Sequence, residues 1–129
     1  MSVLLVEDEP LILETLQDAL EQAGFSVLAV TSGSAALELL SGGVEDLAGL
    51  VTDIRLGVGP SGWDLARQAR RSRPDLPIIY MTGDSGADWP AEGVPRSLVV
   101  QKPFASGQIV TALSNLLIQT DTDAASQGC

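Results

Sequence analysis

The 129-residue chain gathers in a few places the side chains that can handle a hard cation or a phosphoryl group. Glu7, Asp8 and Glu9 stand in a row, Asp53 ends an apolar run, Thr82 precedes Gly83, and Lys102 precedes Pro103. Two carboxylates about 4 Å apart repel by about 4 kcal/mol at an effective dielectric of about 20. Three together need a cation or shifted pKa values. A hard divalent ion meets that need, and Mg²⁺ typically takes one or two carboxylates with phosphate oxygens and waters. A lysine and a hydroxyl facing such an ion can hold the other oxygens of a phosphoryl group. An aspartate there can itself be the nucleophile and carry an acyl phosphate.

Other chemistries are excluded by composition. The chain has no histidine, which removes Ser-His-Asp and Cys-His catalysis and every histidine metal site. The one cysteine, Cys129, is the last residue, so no internal disulfide or cysteine-rich zinc site forms, and it reads as an incidental thiol. Seventeen acidic against seven basic residues give a net charge of −10. That argues against nucleic acid and anionic membrane as partners. The longest apolar runs are far too short to span a bilayer. Met1-Ser2-Val3 does not open a signal peptide. With 45% hydrophobic residues the chain can bury a real core. The expectation is a soluble, acidic, cytoplasmic domain.

The elements that must position these groups follow from pattern. Val3 to Val6 is a short apolar strand. Pro10 opens a helix with Ile12, Leu16, Ala19, Leu20 and Ala23 on one face, and Gly24 closes it. Phe25 to Val30 reads as a second strand, Ala35 to Leu40 as a short helix closed by Gly42-Gly43, and Leu47 to Thr52 as a third strand. Ser61 and Asp64 form an S-x-x-D cap for a helix running to about Arg73. Pro77 to Met81 and Ser97 to Val100 are the fourth and fifth strands, and Ala105 to Leu117 is a final helix. Between strands four and five, glycines 83, 86 and 93 and prolines 90 and 95 leave room for only a short or irregular helix. Residues 1–118 are expected to form the domain and 119–129 a disordered tail.

Strands that are apolar throughout, alternating with helices, mark a parallel sheet buried on both faces. In such an open α/β sheet, ligands bind beyond the carboxyl ends of the strands. Those ends are where Glu7-Asp8-Glu9, Asp53, Thr82 and Lys102 fall. Glu9 reads as a solvated residue at the helix entry. Arg67, Arg70, Arg71 and Arg73 read as a solvated helix end favoured by the helix dipole, with a patch for an acidic partner as the alternative. Trp63 and Trp89 read as packing residues.

On these residues the chain resembles the receiver domain of two-component response regulators. The matching pieces are Val6-Glu7-Asp8-Glu9-Pro10, Val51-Thr52-Asp53, Met81-Thr82-Gly83 and Lys102-Pro103-Phe104, in the family's order and covering roughly residues 2–118. The resemblance implies a flavodoxin-like fold with strand order 2-1-3-4-5. It implies Asp53 as phosphoryl acceptor, with Asp8, Glu7 and the backbone carbonyl of Arg55 around Mg²⁺. It implies the Thr82 hydroxyl and Lys102 on phosphoryl oxygens, and Pro103 following a peptide bond that is often cis. The phosphoryl donor would be a phosphohistidine on a sensor histidine kinase or histidine phosphotransferase. The domain would catalyse its own phosphorylation and dephosphorylation and signal by protein–protein contact.

The chain departs from the family pattern in three ways. Val99 stands where the family usually has a switching aromatic. The loop from Ile54 to Gly62 is one residue longer than usual and lacks a proline four residues after Asp53. The fourth helix is weak. These features are similar to an alphaproteobacterial subgroup of stand-alone receivers lacking the aromatic switch. With no bulky residue at 99, the segment Gly83 to Pro95 is expected to become ordered as Thr82 turns to the phosphoryl group. The rival readings are a phosphate sink or phosphorelay receiver, a receiver fragment of a hybrid kinase, and an interaction module that no longer transfers phosphate. A haloacid-dehalogenase-type phosphohydrolase is a further rival. It wants an aspartate two residues after the nucleophile, where Arg55 stands.

Overall fold

A computed structural model describes residues 1–44, 46–83 and 89–127, with side chains described to residue 118 apart from those of 90 and 91. The elements in chain order are β1 (Ser2–Val6), α1 (Pro10–Gln22), β2 (Ser26–Val30), α2 (Gly33–Gly42), β3 (Leu47–Asp53), α3 (Gly62–Ser72), β4 (Ile78–Thr82), α4 (Trp89–Glu92), β5 (Leu98–Gln101) and α5 (Ser106–Gln127). The strands form one sheet in the order β2-β1-β3-β4-β5, and every neighbouring pair is parallel. This is the flavodoxin-like order expected from the sequence.

The period of two along each strand divides the core into two layers. Leu4 and Val6 of β1, Leu50 of β3, and Ile78 and Tyr80 of β4 face Ala36 of α2 and Trp63, Leu65, Ala66 and Ala69 of α3. Val3 and Leu5, Val51, and Ile79 and Met81 face Leu16 and Leu20 of α1 and Ile109, Leu113 and Leu116 of α5. The helix on β3 comes close: a Cβ at Gly49 would lie 2.7 Å from Leu113 Cδ1. A larger residue there would require the Leu113 side chain to shift.

Burial on both faces holds for β1, β3 and β4, whose apolar residues are all buried. It does not hold for β2 and β5, where Leu28 and Leu98 are exposed. An edge strand has a neighbour on one side only, and an apolar run does not reveal which strands are edges.

Helix ends follow local chemistry. Ser61 and Asp64 cap each other's backbone in a complete capping box. Ser32 accepts from Ala35 N and starts α2 at Gly33, earlier than the apolar period alone indicates. Gly24, at φ +100°, takes the left-handed conformation after α1. The α4 helix is one short turn, as the glycines and prolines around it require. Gly86, within the segment expected to become ordered, and Cys129 lie outside the described residues. The α5 backbone stays helical to Gln127, beyond Leu117 where the apolar period stops. No glycine or proline interrupts the chain between Leu117 and Gly128, so small polar residues there leave helix geometry available.

Candidate phosphoryl and metal site

Three strand ends on one edge of the sheet bring the acidic residues and the lysine together. β1 ends at Val6, and the next residue continues the pairing through Glu7 N–H donating to Val30 O at 3.2 Å. That extension buries the Glu7 side chain completely. β3 ends in Asp53, which is 7% exposed and pairs in register with Met81 of β4. β5 ends beside β4, with Thr82 in register with Gln101 and Lys102 N–H donating to the Thr82 carbonyl. The Lys102-Pro103 peptide bond is cis.

The ammonium of Lys102 bridges two carboxylates. Its Nζ donates to Asp53 Oδ2 at 3.1 Å and to Glu7 Oε1 at 3.5 Å. It also lies 3.2 Å from Glu7 Oε2, in an ion pair whose angle makes no hydrogen bond. Glu7 Oε1 accepts in addition from Glu9 N–H at 3.2 Å. One oxygen of a fully buried carboxylate therefore accepts no hydrogen bond, an arrangement that costs free energy without a compensating partner.

The titration directions follow from this geometry. Burial, then repulsion from Asp53, pushes Glu7 up to about 7, against the pull of the Glu9 N–H and Lys102. Burial also raises Asp53, and the nearby charge of Asp8 adds to it; the Lys102 contact and the Arg55 N–H oppose it. Burial acts to lower Lys102, but the hydrogen bond and charge of Asp53, with those of Glu7, outweigh it and leave the lysine raised. The ammonium therefore stays charged inside the site.

Glu7, exposed Asp8 and Asp53 each offer a carboxylate oxygen within 4.8 Å of the others. The donor set is all oxygen, carries an unbonded buried oxygen, and is rimmed by one cation. It fits a hard divalent ion such as Mg²⁺. Thr82 is buried at the β4 end, beside this cluster. Arg55 stands two residues after Asp53 and turns its N–H to the Asp53 carboxylate. The fold thus brings together Glu7, Asp8, Asp53, Arg55, Thr82 and Lys102. Glu9 lies outside the cluster, exposed at the N-cap of α1.

Several other assignments need revision or addition. Among the described residues, Arg71 alone of the helix-end arginines keeps to a neighbour on its own helix, Gln68. Arg67 reaches Glu92 at 2.8 Å, Arg70 reaches the carbonyls of Leu76, Pro95 and Arg96, and Arg73 reaches the Val44 carbonyl. They fasten α3 to the chain around it, and no local period announces contacts between residues so far apart in sequence. Trp63 packs on Tyr80 with ring centroids 4.5 Å apart, and the Trp89 indole N–H donates to Ser97 Oγ at 3.0 Å. Tyr80, in register with Val99, fills the space beside that valine and accepts from Val94 N–H at 3.2 Å.

Comparison with known proteins agrees with this architecture. The family described as "Response regulator receiver domain" matches residues 3–114. Response regulator SaeR of Staphylococcus aureus strain USA300 is 31% identical over 117 residues, covering 89% of this chain and 50% of that protein. The chain thus spans about half the length of the curated relatives it matches. A response regulator receiver protein from Sinorhizobium medicae WSM419 is 42% identical with a TM-score of 0.89, over 93% of this chain and 96% of that one. The receiver domain of a sensor histidine kinase from Pseudomonas aeruginosa PAO1, solved with magnesium in its active-site cleft, shares the fold at 24% identity and a TM-score of 0.74, over 90% and 96% of the two chains. No described helix is long and apolar enough to cross a membrane. Strand order, motif order and relatives agree, and the chain belongs to the response regulator receiver domain family of two-component signalling.

Proposed function

We propose that Asp53 accepts a phosphoryl group from a phosphohistidine, with Mg²⁺ held by Asp8 and Asp53. Glu7 and the Arg55 carbonyl complete the protein's share of that site. The observation that carries this reading is the convergence of Asp53, Glu7 and Asp8 with the Lys102 ammonium, 3.1 Å from the Asp53 carboxylate. The magnesium in the receiver of the Pseudomonas kinase supports the same metal here.

Each residue has a distinct task. An Asp53 carboxylate oxygen attacks phosphorus, the P–N bond to the donor imidazole breaks, and its electron pair stays on that nitrogen. Asp8, Asp53, Glu7 and the Arg55 carbonyl would hold Mg²⁺, which when bound would supply positive charge against the carboxylate repulsion and the phosphoryl charge. Lys102, released from part of its contact with Asp53, holds a second phosphoryl oxygen, and the Thr82 hydroxyl donates to a third. In hydrolysis water attacks phosphorus, the P–O bond to Asp53 breaks with its electron pair returning to the carboxylate, and inorganic phosphate leaves carrying the water oxygen. The 129 residues contain no histidine, so the donor lies outside them, on a sensor histidine kinase or histidine phosphotransferase. Output by protein–protein contact from a cytoplasmic domain completes the proposal.

Incubation with acetyl phosphate and Mg²⁺, followed by intact mass, tests it. One phosphoryl adduct is expected, absent in Asp53→Asn and absent when EDTA replaces Mg²⁺. An adduct that survives Asp53→Asn would overturn the assignment. No adduct on the wild type would favour an interaction module that no longer transfers phosphate.

A further inference from the structure

Two residues outside the acidic cluster meet the backbone at Asp53. Within β3, the Thr52 hydroxyl donates to the Asp53 carbonyl at 2.8 Å, inside a completely buried position. From the helix side, the first residue of α3 is Gly62, whose N–H donates to the Ile54 carbonyl at 2.9 Å. A Cβ on Gly62 would lie 2.4 Å from the Asp53 carbonyl oxygen and 2.9 Å from Ile54 Cα. Both obstacles are backbone, so a side chain there could be accepted only by parting the peptide that follows Asp53 from the start of α3. Ile54 N–H meanwhile donates to Met81 O at 3.1 Å, tying the same peptide to β4. The Ser61–Asp64 capping box sets the start of α3 and so puts Gly62 at this contact.

We infer that Thr52 and Gly62 are positioning residues for the phosphoryl acceptor, fixing the peptide that aims the Asp53 carboxylate between Lys102 and the acidic pair. The inference rests on Asp53 being the acceptor. The physical reason is that in-line attack needs the reacting oxygen held to a fraction of an ångström, and a shift of about 1 Å can cost on the order of a hundredfold in rate. A hydroxyl bond on the carbonyl and a helix start against it limit that shift without adding a group to the site. Neither residue carries a charge: Thr52 stands in the Val51-Thr52-Asp53 piece only as the strand residue before the aspartate, and Gly62 reads as part of a loop.

The test uses the full chain in saturating Mg²⁺ with acetyl phosphate, following adduct formation by intact mass. Thr52→Val keeps the shape and removes only the hydroxyl; Thr52→Ser restores it; Gly62→Ala sets a Cβ against the same carbonyl oxygen. Phosphorylation is expected to slow about tenfold in Thr52→Val and Gly62→Ala and to stay within about twofold of wild type in Thr52→Ser. A second readout needs no phosphate. In Mg²⁺-free protein the Ile54 amide resonance is expected to move in Thr52→Val and return in Thr52→Ser. Wild-type rates in Thr52→Val and Gly62→Ala would overturn the inference while leaving Asp53 as acceptor. Equal slowing in Thr52→Ser and Thr52→Val would overturn the role of the hydroxyl and assign the effect to packing. An unphosphorylated wild type would overturn the acceptor reading and this inference with it.

Discussion

Lys102 Nζ sits 3.2 Å from Glu7 Oε2, yet that oxygen accepts no hydrogen bond. Burial, then repulsion from Asp53, raises the Glu7 pKa to about 7 against the pull of Lys102. Its charge is tolerated by the fold rather than used by it. Glu7→Gln should raise the melting temperature in EDTA, by about 1 kcal/mol or roughly 3–6 °C. Differential scanning calorimetry checks this, and a lower melting temperature without metal would remove the strained acidic pocket from the account.

The metal should reverse that ordering. A ligand that binds only the folded state stabilises it in proportion to the logarithm of its concentration over its Kd. Wild type should gain melting temperature as Mg²⁺ is added, and Asp8→Asn should gain little. Titration calorimetry of the same pair should show Mg²⁺ binding weakened at least tenfold in Asp8→Asn. Equal affinities would move the ion away from Asp8.

What the sequence makes legible here depends on how local the cause is. The cap at Ser61 and Asp64 is decided within one turn, and it stands where the S-x-x-D pattern puts it. The acidic group is legible for a different reason: parallel strands of similar length end on one edge, so Glu7, Asp53, Thr82 and Lys102 meet whatever the details of packing. The exposure of Leu28 and Leu98 was hidden, because sheet order and not strand composition decides who stands at the edge. The Arg67 and Arg70 contacts were hidden too. Arg70 and Pro95 are joined only once α3 and β5 have been placed.

Those contacts make a prediction of their own. Arg70 donates to Leu76 O at 2.8 Å, Pro95 O at 2.7 Å and Arg96 O at 3.3 Å, around a residue, Arg96, held at φ +60°. Left-handed backbone at a non-glycine residue costs about 1 kcal/mol or more and persists only where its surroundings enforce it. Arg70→Met should lower stability by about 1–2 kcal/mol in urea unfolding. Arg71→Met, one position on and bonded among the described residues only to Gln68, should stay within about 0.5 kcal/mol of wild type. Equal effects of the two variants would show that the helix-end arginines act only as solvated charge.

Lys102 provides the sharpest test of the site's electrostatics, because it is the cation shared by two acidic residues. Lys102→Met leaves buried Glu7 and nearly buried Asp53 facing one another with no ammonium between them. Breaking a buried pair from one side typically costs about 3–5 kcal/mol; here Asp53 is not fully enclosed and Asp8 is exposed, so about 1–3 kcal/mol is expected in EDTA. The sign of the coupling follows from the same geometry. In wild type, part of the Glu7 charge is balanced by Lys102, so neutralising Glu7 relieves only the remainder. In the Lys102→Met background nothing balances it, and Glu7→Gln should stabilise by more than it does in wild type. The double-mutant cycle therefore has a favourable Glu7–Lys102 term, on the order of 1 kcal/mol. Four melting curves in EDTA at about pH 9, above the Glu7 pKa of about 7, measure it. A Glu7→Gln gain that is the same with and without Lys102 would mean that the 3.2 Å contact carries no energy, and that Lys102 serves Asp53 alone.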